Sequence, residues 1–176
     1  PDISLNVISA NVMNFAARGA LKNFDDFEGA DRIFTRFYES AIVPLRFDNR
    51  IYGIPETQSF PVLFYRKDIL GELGIKVPET WDDVYKILPD LQKKNMEFAF
   101  PLGMPSFGIF LYQMGGEFYK DDGRKSGLDS EISITAFKKW TELFTNYKMP
   151  FQYDFPNRFR TGEMPIGIAD YSIYNL

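Results

Sequence analysis

Cysteine and histidine are both absent from the 176 residues. Without cysteine there can be no disulfides, thiolate zinc sites, iron–sulfur clusters or cysteine nucleophiles. Without histidine there is no Ser-His-Asp triad, no imidazole metal site and no usual general base for neutral pH. No apolar run approaches the length of a membrane-spanning helix, and no signal peptide opens the chain. The formal net charge is −4, with no concentrated basic stretch of the kind that nucleic acid or an anionic membrane calls for. Internal repeats and low-complexity tracts are also missing.

What is present is a globular composition, 45% hydrophobic and 25% charged, able to bury the core of one ordinary domain or two small ones. The chain starts at Pro1 without Met and stops at Leu176 with nothing resembling a terminus, so it reads as a segment of something longer. Aromatics reach 17%, including 18 Phe and 10 Tyr. Most are expected in the core, leaving a minority of Tyr and Trp to line a ligand cleft. Trp140 and Trp81 are assigned to the core.

Apolar residues alternate in Ile3 to Ser9, a strand signal, and Asn11 and Asn14 follow in what reads as a loop. The spacing predicts a helix over Asp25 to Tyr38, with Phe27, Ile33, Phe34 and Phe37 on one face. Arg46 to Pro55 reads as a β-hairpin turning at Asp48-Asn49. Val62 to Tyr65 reads as a strand buried on both faces. Between them Glu56 to Pro61 is polar and proline-bracketed, either a crossover between lobes or a surface loop. A short helix follows through Leu73 with Gly74 as its stop. The next is N-capped by Thr80, with Asp82 and Asp83 in its first turn and Pro89 predicting a kink or break. Phe98 to Leu102 is a short strand, Gly103 to Ser106 a loop, and Phe107 to Met114 a buried helix stopped at Gly115-Gly116. Phe118 to Gly123 suggests a small hairpin. Ser130 starts a helix over Glu131 to Tyr147 with Ile134, Phe137, Trp140, Leu143 and Phe144 on its apolar face. A short helical piece over Phe159 to Gly162 and a strand over Met164 to Ala169 complete an alternation that predicts an α/β fold.

Paired carboxylates are the one classical catalytic device left, with Glu56, Glu117, Asp154, Glu163 and Asp170 near turns or strand ends. A glycosidase needs two of them about 5 to 9.5 Å apart, one with a raised pKa. Capping accounts for most acids at helix starts, so catalysis ranks below binding. The polar loop residues are harder to assign to structure: Asn11, Asn14, Glu56, Thr57, Gln58, Ser59, the loop at Ser106 and Phe107, and Asp170, Tyr171 and Tyr174 after the last strand. Open α/β sheets bind ligands beyond the carboxyl ends of their strands, and amides, hydroxyls and carboxylates beside aromatic rings suit a polyhydroxylated ligand.

Pro1-Asp2-Ile3 before a strand, Phe15 to Leu21, Ile51-Tyr52-Gly53-Ile54-Pro55-Glu56-Thr57-Gln58 and Leu63 to Leu70 follow one another in a familiar order. Pro78-Glu79-Thr80-Trp81-Asp82-Asp83, Tyr112 to Gly116 and Phe159 to Ile168 continue it. This resembles the bacterial extracellular solute-binding proteins of family 1, the maltose-binding-like group. The Pro-x-Thr-Trp-Asp-Asp helix start is the most specific of these motifs. The resemblance implies a type II periplasmic-binding-protein-like α/β fold, with part of the first lobe in residues 1–58, a hinge crossover at 59–63 and most of the second lobe in 64–176. It implies a substrate-binding component of an ABC importer, a monomer that takes a sugar or oligosaccharide in an interlobe cleft and hands it to transmembrane permease subunits. Neither a cofactor, a metal nor nucleic acid is implied. The location implied is extracytoplasmic, lipid-anchored at the cell surface or periplasmic, with anchor and signal outside this segment. Ligand contacts implied at matching positions are Asn11, Asn14, Glu56, Gln58, Ser59, Ser106, Phe107, Asp170, Tyr171 and Tyr174. Positions that carry cleft Trp in maltose-binding relatives are Pro, Ser or Tyr here, so maltose itself is not implied. The alternatives are a carboxylate-based carbohydrate-active enzyme and an interaction domain with no small ligand.

Overall fold

A computed structural model describes residues 2–57 and 59–175. The chain divides into two compact units, residues 1–59 and 60–176.

In the first unit, helix α1 (Ser9–Ala17) buries Val12 and Ala16. A 3-10 turn, Phe24–Asp26, is capped by Asn23, whose side chain accepts from the Asp26 N–H at 3.2 Å. Short helices α2 (Ala30–Phe34) and α3 (Glu39–Ile42) precede the hairpin of β1 (Arg46–Phe47) and β2 (Arg50–Ile51). Ala30, Phe34, Ile42 and Ile51 form a small core with Phe24 and Phe37 beside it. The hairpin is as expected, and positive φ at Asp48 (48°) and Asn49 (60°) supplies the tight turn.

Two expectations fail in this unit. Residues 3–8 form no strand: Ile3 and Leu5 are exposed, and no other described strand pairs with them. Alternation marks a strand only where a partner takes up its backbone groups. Asn11 and Asn14 therefore lie within α1, not in a loop. The single helix over 25–38 is broken into a 3-10 turn and α2 because Gly29 adopts φ 79° between them.

The second unit is built on a mixed sheet of order β3-β7-β4. Strand β3 (Pro61–Tyr65) leads into α4 (Lys67–Glu72) and α5 (Trp81–Gln92), then β4 (Phe98–Ala99) and α6 (Met104–Gln113). The hairpin β5 (Tyr119–Lys120) and β6 (Lys125–Ser126), helices α7 (Glu131–Thr145) and α8 (Phe155–Thr161), and β7 (Ile166–Asp170) follow. Strand β7 runs between β3, antiparallel, and β4, parallel. A core of Leu88, Leu91, Phe98, Phe100, Phe110, Leu111, Leu143 and Ile166 fills the space between this sheet and its helices. Trp81 stacks on Phe110 with centroids 4.0 Å apart, and Trp140 is 8% exposed, so both tryptophans serve the core as expected.

Thr80 caps α5 by accepting from the Asp83 N–H at 3.2 Å, while Asp83 accepts from the Thr80 N–H at 3.2 Å. This reciprocal box satisfies two donors that helix geometry leaves open. Thr80→Ala is expected to cost about 1 kcal/mol, read as a lower midpoint in urea unfolding. Pro89 lies inside α5 without stopping it, and the helix continues three positions further to Gln92.

The second unit also corrects several expectations. Strand β3 is half-buried rather than covered on both faces, with Pro61 and Tyr65 at its two ends exposed. Helix α6 begins at Met104, so Ser106 and Phe107 are helical, with Pro105 in the first turn where its missing N–H is harmless. The buried stripe of α7 is Ser133, Ala136, Trp140, Leu143 and Phe144, whereas Ile134 and Phe137 are about half exposed. Helix α8 starts earlier than expected, at Phe155, capped by Asp154.

Arg66 fastens the far end of the sheet. Its guanidinium donates to Asp68 at 2.9 and 2.6 Å and to the carbonyls of Phe159 and Arg160 at 3.1 Å. The Arg66 hydrogen bonds hold the Asp68 carboxyl down to about 2, against an ordinary value of 3.8. A carboxyl depressed in the folded state stabilises above its unfolded value and ceases to as pH falls between the two. A carboxyl NMR titration is expected to place the Asp68 midpoint near 2 in the native chain and close to its ordinary value in Arg66→Gln.

Candidate functional site

Strands β4 and β7 are parallel, so both chains leave the sheet at the same edge. Strand β3 is antiparallel and enters there, with Pro61 opposite Asp170. Three segments therefore meet at one edge: residues 59–62, 100–106 and 168–175. The Tyr171 N–H donates to the Phe60 carbonyl at 2.9 Å, which ties the turn after β7 to the start of β3. That turn, Tyr171–Asn175, is a 3-10 helix. Ile173 packs inward beside Phe155 and Met164, leaving Tyr171 and Tyr174 outward.

The outward rings form a stack. Phe60 and Tyr171 lie 5.1 Å apart at 14°, and Tyr171 and Tyr174 lie 5.9 Å apart at 9°. Parallel rings in contact need only about 3.5 to 4 Å between planes. The longer centroid distances mean that the rings slip past one another, so each keeps part of a face uncovered. Exposures of 50% for Phe60, 47% for Tyr171 and 69% for Tyr174 agree. Three exposed aromatics in line, beside a carboxylate, are costly to leave in water and suited to the apolar face of a ring-shaped polar ligand.

Asp170 accepts from the Ser172 N–H at 2.8 Å. Hydrogen bonds from Ser172 hold its carboxyl below the ordinary carboxylate range, so it is an anion at neutral pH. That is the opposite of the raised value a general acid needs. Asp154 caps α8 and Glu163 pairs with Arg158 at 2.9 Å, so these two acids have structural employment. Among the described residues no group of three or more acidic side chains is arranged to hold a metal ion.

Of the residues singled out from sequence, Asp170, Tyr171 and Tyr174 come together at this edge, with Ser59 exposed at its rim. Ser106 and Phe107 do not face it. Ser106 is buried and donates to the Gly103 carbonyl at 2.8 Å, while the Phe107 ring is buried against Phe118, Phe137 and Trp140. Both positions read as loop only while the start of α6 goes unrecognised. Gln58 lies outside the described residues. In the first unit, Asn11 and Asn14 are exposed on α1, and Glu56 lines a shallow depression with Arg36, Phe37, Tyr38 and Thr57. Phe60 was not foreseen in the site; a Phe directly before the Pro61 that opens a strand was its only signal.

The sequence profile described as "Bacterial extracellular solute-binding protein" matches residues 3–175. The multiple sugar-binding protein of Streptococcus mutans is 38% identical over 53 residues, 30% of this chain and 13% of that one. The maltotriose-binding protein of Pyrococcus abyssi is 24% identical over 139 residues, 77% of this chain and 30% of that protein. The solved structure of maltose-bound MalE3 from T. maritima superposes with a TM-score of 0.77 at 21% identity, over 94% of this chain and 45% of that one. This likeness establishes the type II periplasmic-binding-protein-like α/β fold, and the chain spans less than half the length of these relatives. No helix among the described residues is long and apolar enough to cross a membrane. A profile match that reaches from residue 3 to residue 175 takes in both units and the edge between 60 and 174: this chain belongs to the bacterial extracellular solute-binding protein family.

Proposed function

We propose that the protein is the substrate-binding component of an ABC importer and that it takes a sugar or oligosaccharide at the aromatic edge of its second unit. The observation that carries this reading is the exposed, offset stack of Phe60, Tyr171 and Tyr174 beside the Asp170 carboxylate. Pyranose rings present C–H groups on one face and hydroxyls at the rim. The ring faces take the first, and Asp170, Ser59 and the tyrosine hydroxyls take the second. Residues 1–58 are part of the first lobe, 59–63 the crossover and 64–176 most of the second lobe. Asn11, Asn14, Glu56 and Gln58 are the contacts proposed from the first lobe. Closure of two lobes around the sugar excludes water and strengthens each polar contact. No bond is made or broken, so the protein is a carrier rather than an enzyme, and it works outside the cytoplasm with membrane-embedded permease subunits as partners. The names of the sugar-binding relatives support this choice of ligand.

Thermal melting of the full-length parent protein with mono- and oligosaccharides, and peptides as controls, tests it. A ligand at a hundredfold excess over its dissociation constant adds about 2.7 kcal/mol to stability, a plain upward shift in midpoint. A shift with one class of glycan supports the reading. A shift with peptides alone, or with nothing, overturns it.

A further inference from the structure

The three segments that meet at the aromatic edge contain one formal charge. Residues 59–62 read Ser-Phe-Pro-Val, 100–106 read Phe-Pro-Leu-Gly-Met-Pro-Ser, and 168–175 read Ile-Ala-Asp-Tyr-Ser-Ile-Tyr-Asn. Lysine and arginine are absent from all of them, and the charge is that of Asp170. Arg66, the basic residue closest along β3, is committed to Asp68 and to the end of α8 at the opposite edge of the sheet. The exposed ring faces of Phe60, Tyr171 and Tyr174 carry a negative quadrupole that attracts cations and gives an anion nothing. The carboxylate is locally anchored, since Asp170 accepts from the Ser172 N–H at 2.8 Å and so cannot swing away freely from an approaching ligand.

We propose that this edge selects its solute by charge, accepting neutral or amine-bearing sugars and refusing anionic ones such as uronates and sugar phosphates, with Asp170 as the residue that sets the preference. The inference rests on the sugar-site reading above and narrows its ligand class. A like charge brought beside the exposed carboxylate is repelled, and the more so as the bound sugar displaces the water around it. An ammonium gains the same field with opposite sign and an aromatic face as well. Asp170 is thus a specificity residue and takes no part in any chemical step.

Calorimetric titration of the full-length parent with glucose, glucosamine and glucuronate, three probes of one ring size, tests this at low and at high salt. The native protein is expected to bind glucuronate about tenfold or more weaker than glucose at low ionic strength, with glucosamine at least equal to glucose, and the spread is expected to shrink in high salt. Asp170→Asn keeps an oxygen for the Ser172 N–H and removes the charge, exchanging the second acceptor oxygen for an amide donor. It is expected to bring the glucuronate-to-glucose ratio within about threefold, and the ratio reads the charge because the lost acceptor oxygen weakens both sugars alike. Equal binding of glucuronate and glucose by the native protein overturns the charge filter and leaves the sugar site standing. So does a gap that survives Asp170→Asn. Failure of all three probes, together with silence across the wider glycan panel, overturns the sugar site and the filter with it.

Discussion

Gly167→Ala is expected to cost about 3 kcal/mol of folding stability, the upper part of the range for forcing atoms into a packed interior. Gly167 sits in the middle of β7, paired with Phe64 on one side and Ala99 on the other. A Cβ there would meet the Ala99 carbonyl oxygen at 2.7 Å and the Ala99 Cα at 2.9 Å. Those are backbone atoms of a neighbouring strand, so relief requires β4 and β7 to part. Phe98 and Ile166, both fully buried, would lose their packing in the same movement. Urea unfolding of the variant is the check. Gly71→Ala provides the contrast: it lies within α4 with open space around it, and is expected to raise stability by about 0.5 to 1 kcal/mol.

Tyr171→Ala is expected to lower affinity for the sugar found in the melting panel about 30-fold, roughly 2 kcal/mol, while the unfolding midpoint without ligand moves little. Tyr171 is the ring shared by both stacked pairs, and its backbone N–H holds Phe60 in line. Removing the side chain leaves that backbone bond intact and takes away the surface a pyranose would cover. Half of the residue already faces solvent, so little core is lost. Tyr171→Phe should keep most of the affinity, since it keeps the face and loses only the hydroxyl. Tyr119→Ala, exposed on the β5–β6 hairpin, should change neither quantity. Titration calorimetry on the three variants reads the affinities, and thermal melting without ligand reads the midpoints.

Features fixed by local chemistry were legible in the sequence. Thr80 with Asp83, the Asp48-Asn49 turn, and the stops at Gly74, Gly115 and Gly162 each need only a few neighbouring residues, and each is found where expected. Features fixed by distant partners were not legible. Ile3, Leu5 and Val7 alternate like a strand, yet a strand exists only when another lies beside it. Spacing puts Ile134 and Phe137 on the buried face of α7 with Trp140, Leu143 and Phe144. The last three are buried, but the neighbours that define the core turn Ser133 and Ala136 inward in place of the first two. Ser133 fits there because its hydroxyl donates to the Gly127 carbonyl at 2.8 Å, a bond that composition does not reveal.

The site was legible to a similar degree. Asp170, Tyr171 and Tyr174 stood out because a polar and aromatic cluster follows a strand end. Sheet direction then places that strand end beside the start of β3. Phe60 joins them through strand register, a relation 111 positions apart along the chain that periodicity cannot carry. Phe107 went the other way: aromatic beside a presumed loop, it is a core ring once α6 begins three positions earlier.

The most direct measurement is a crystal structure of the full-length parent protein with the glycan that raises its melting temperature. The account predicts a sugar ring within about 4 Å of the Tyr171 or Tyr174 face, with a hydroxyl hydrogen-bonded to Asp170. A sugar bound elsewhere, with the stack of Phe60, Tyr171 and Tyr174 untouched and open to solvent, would contradict it.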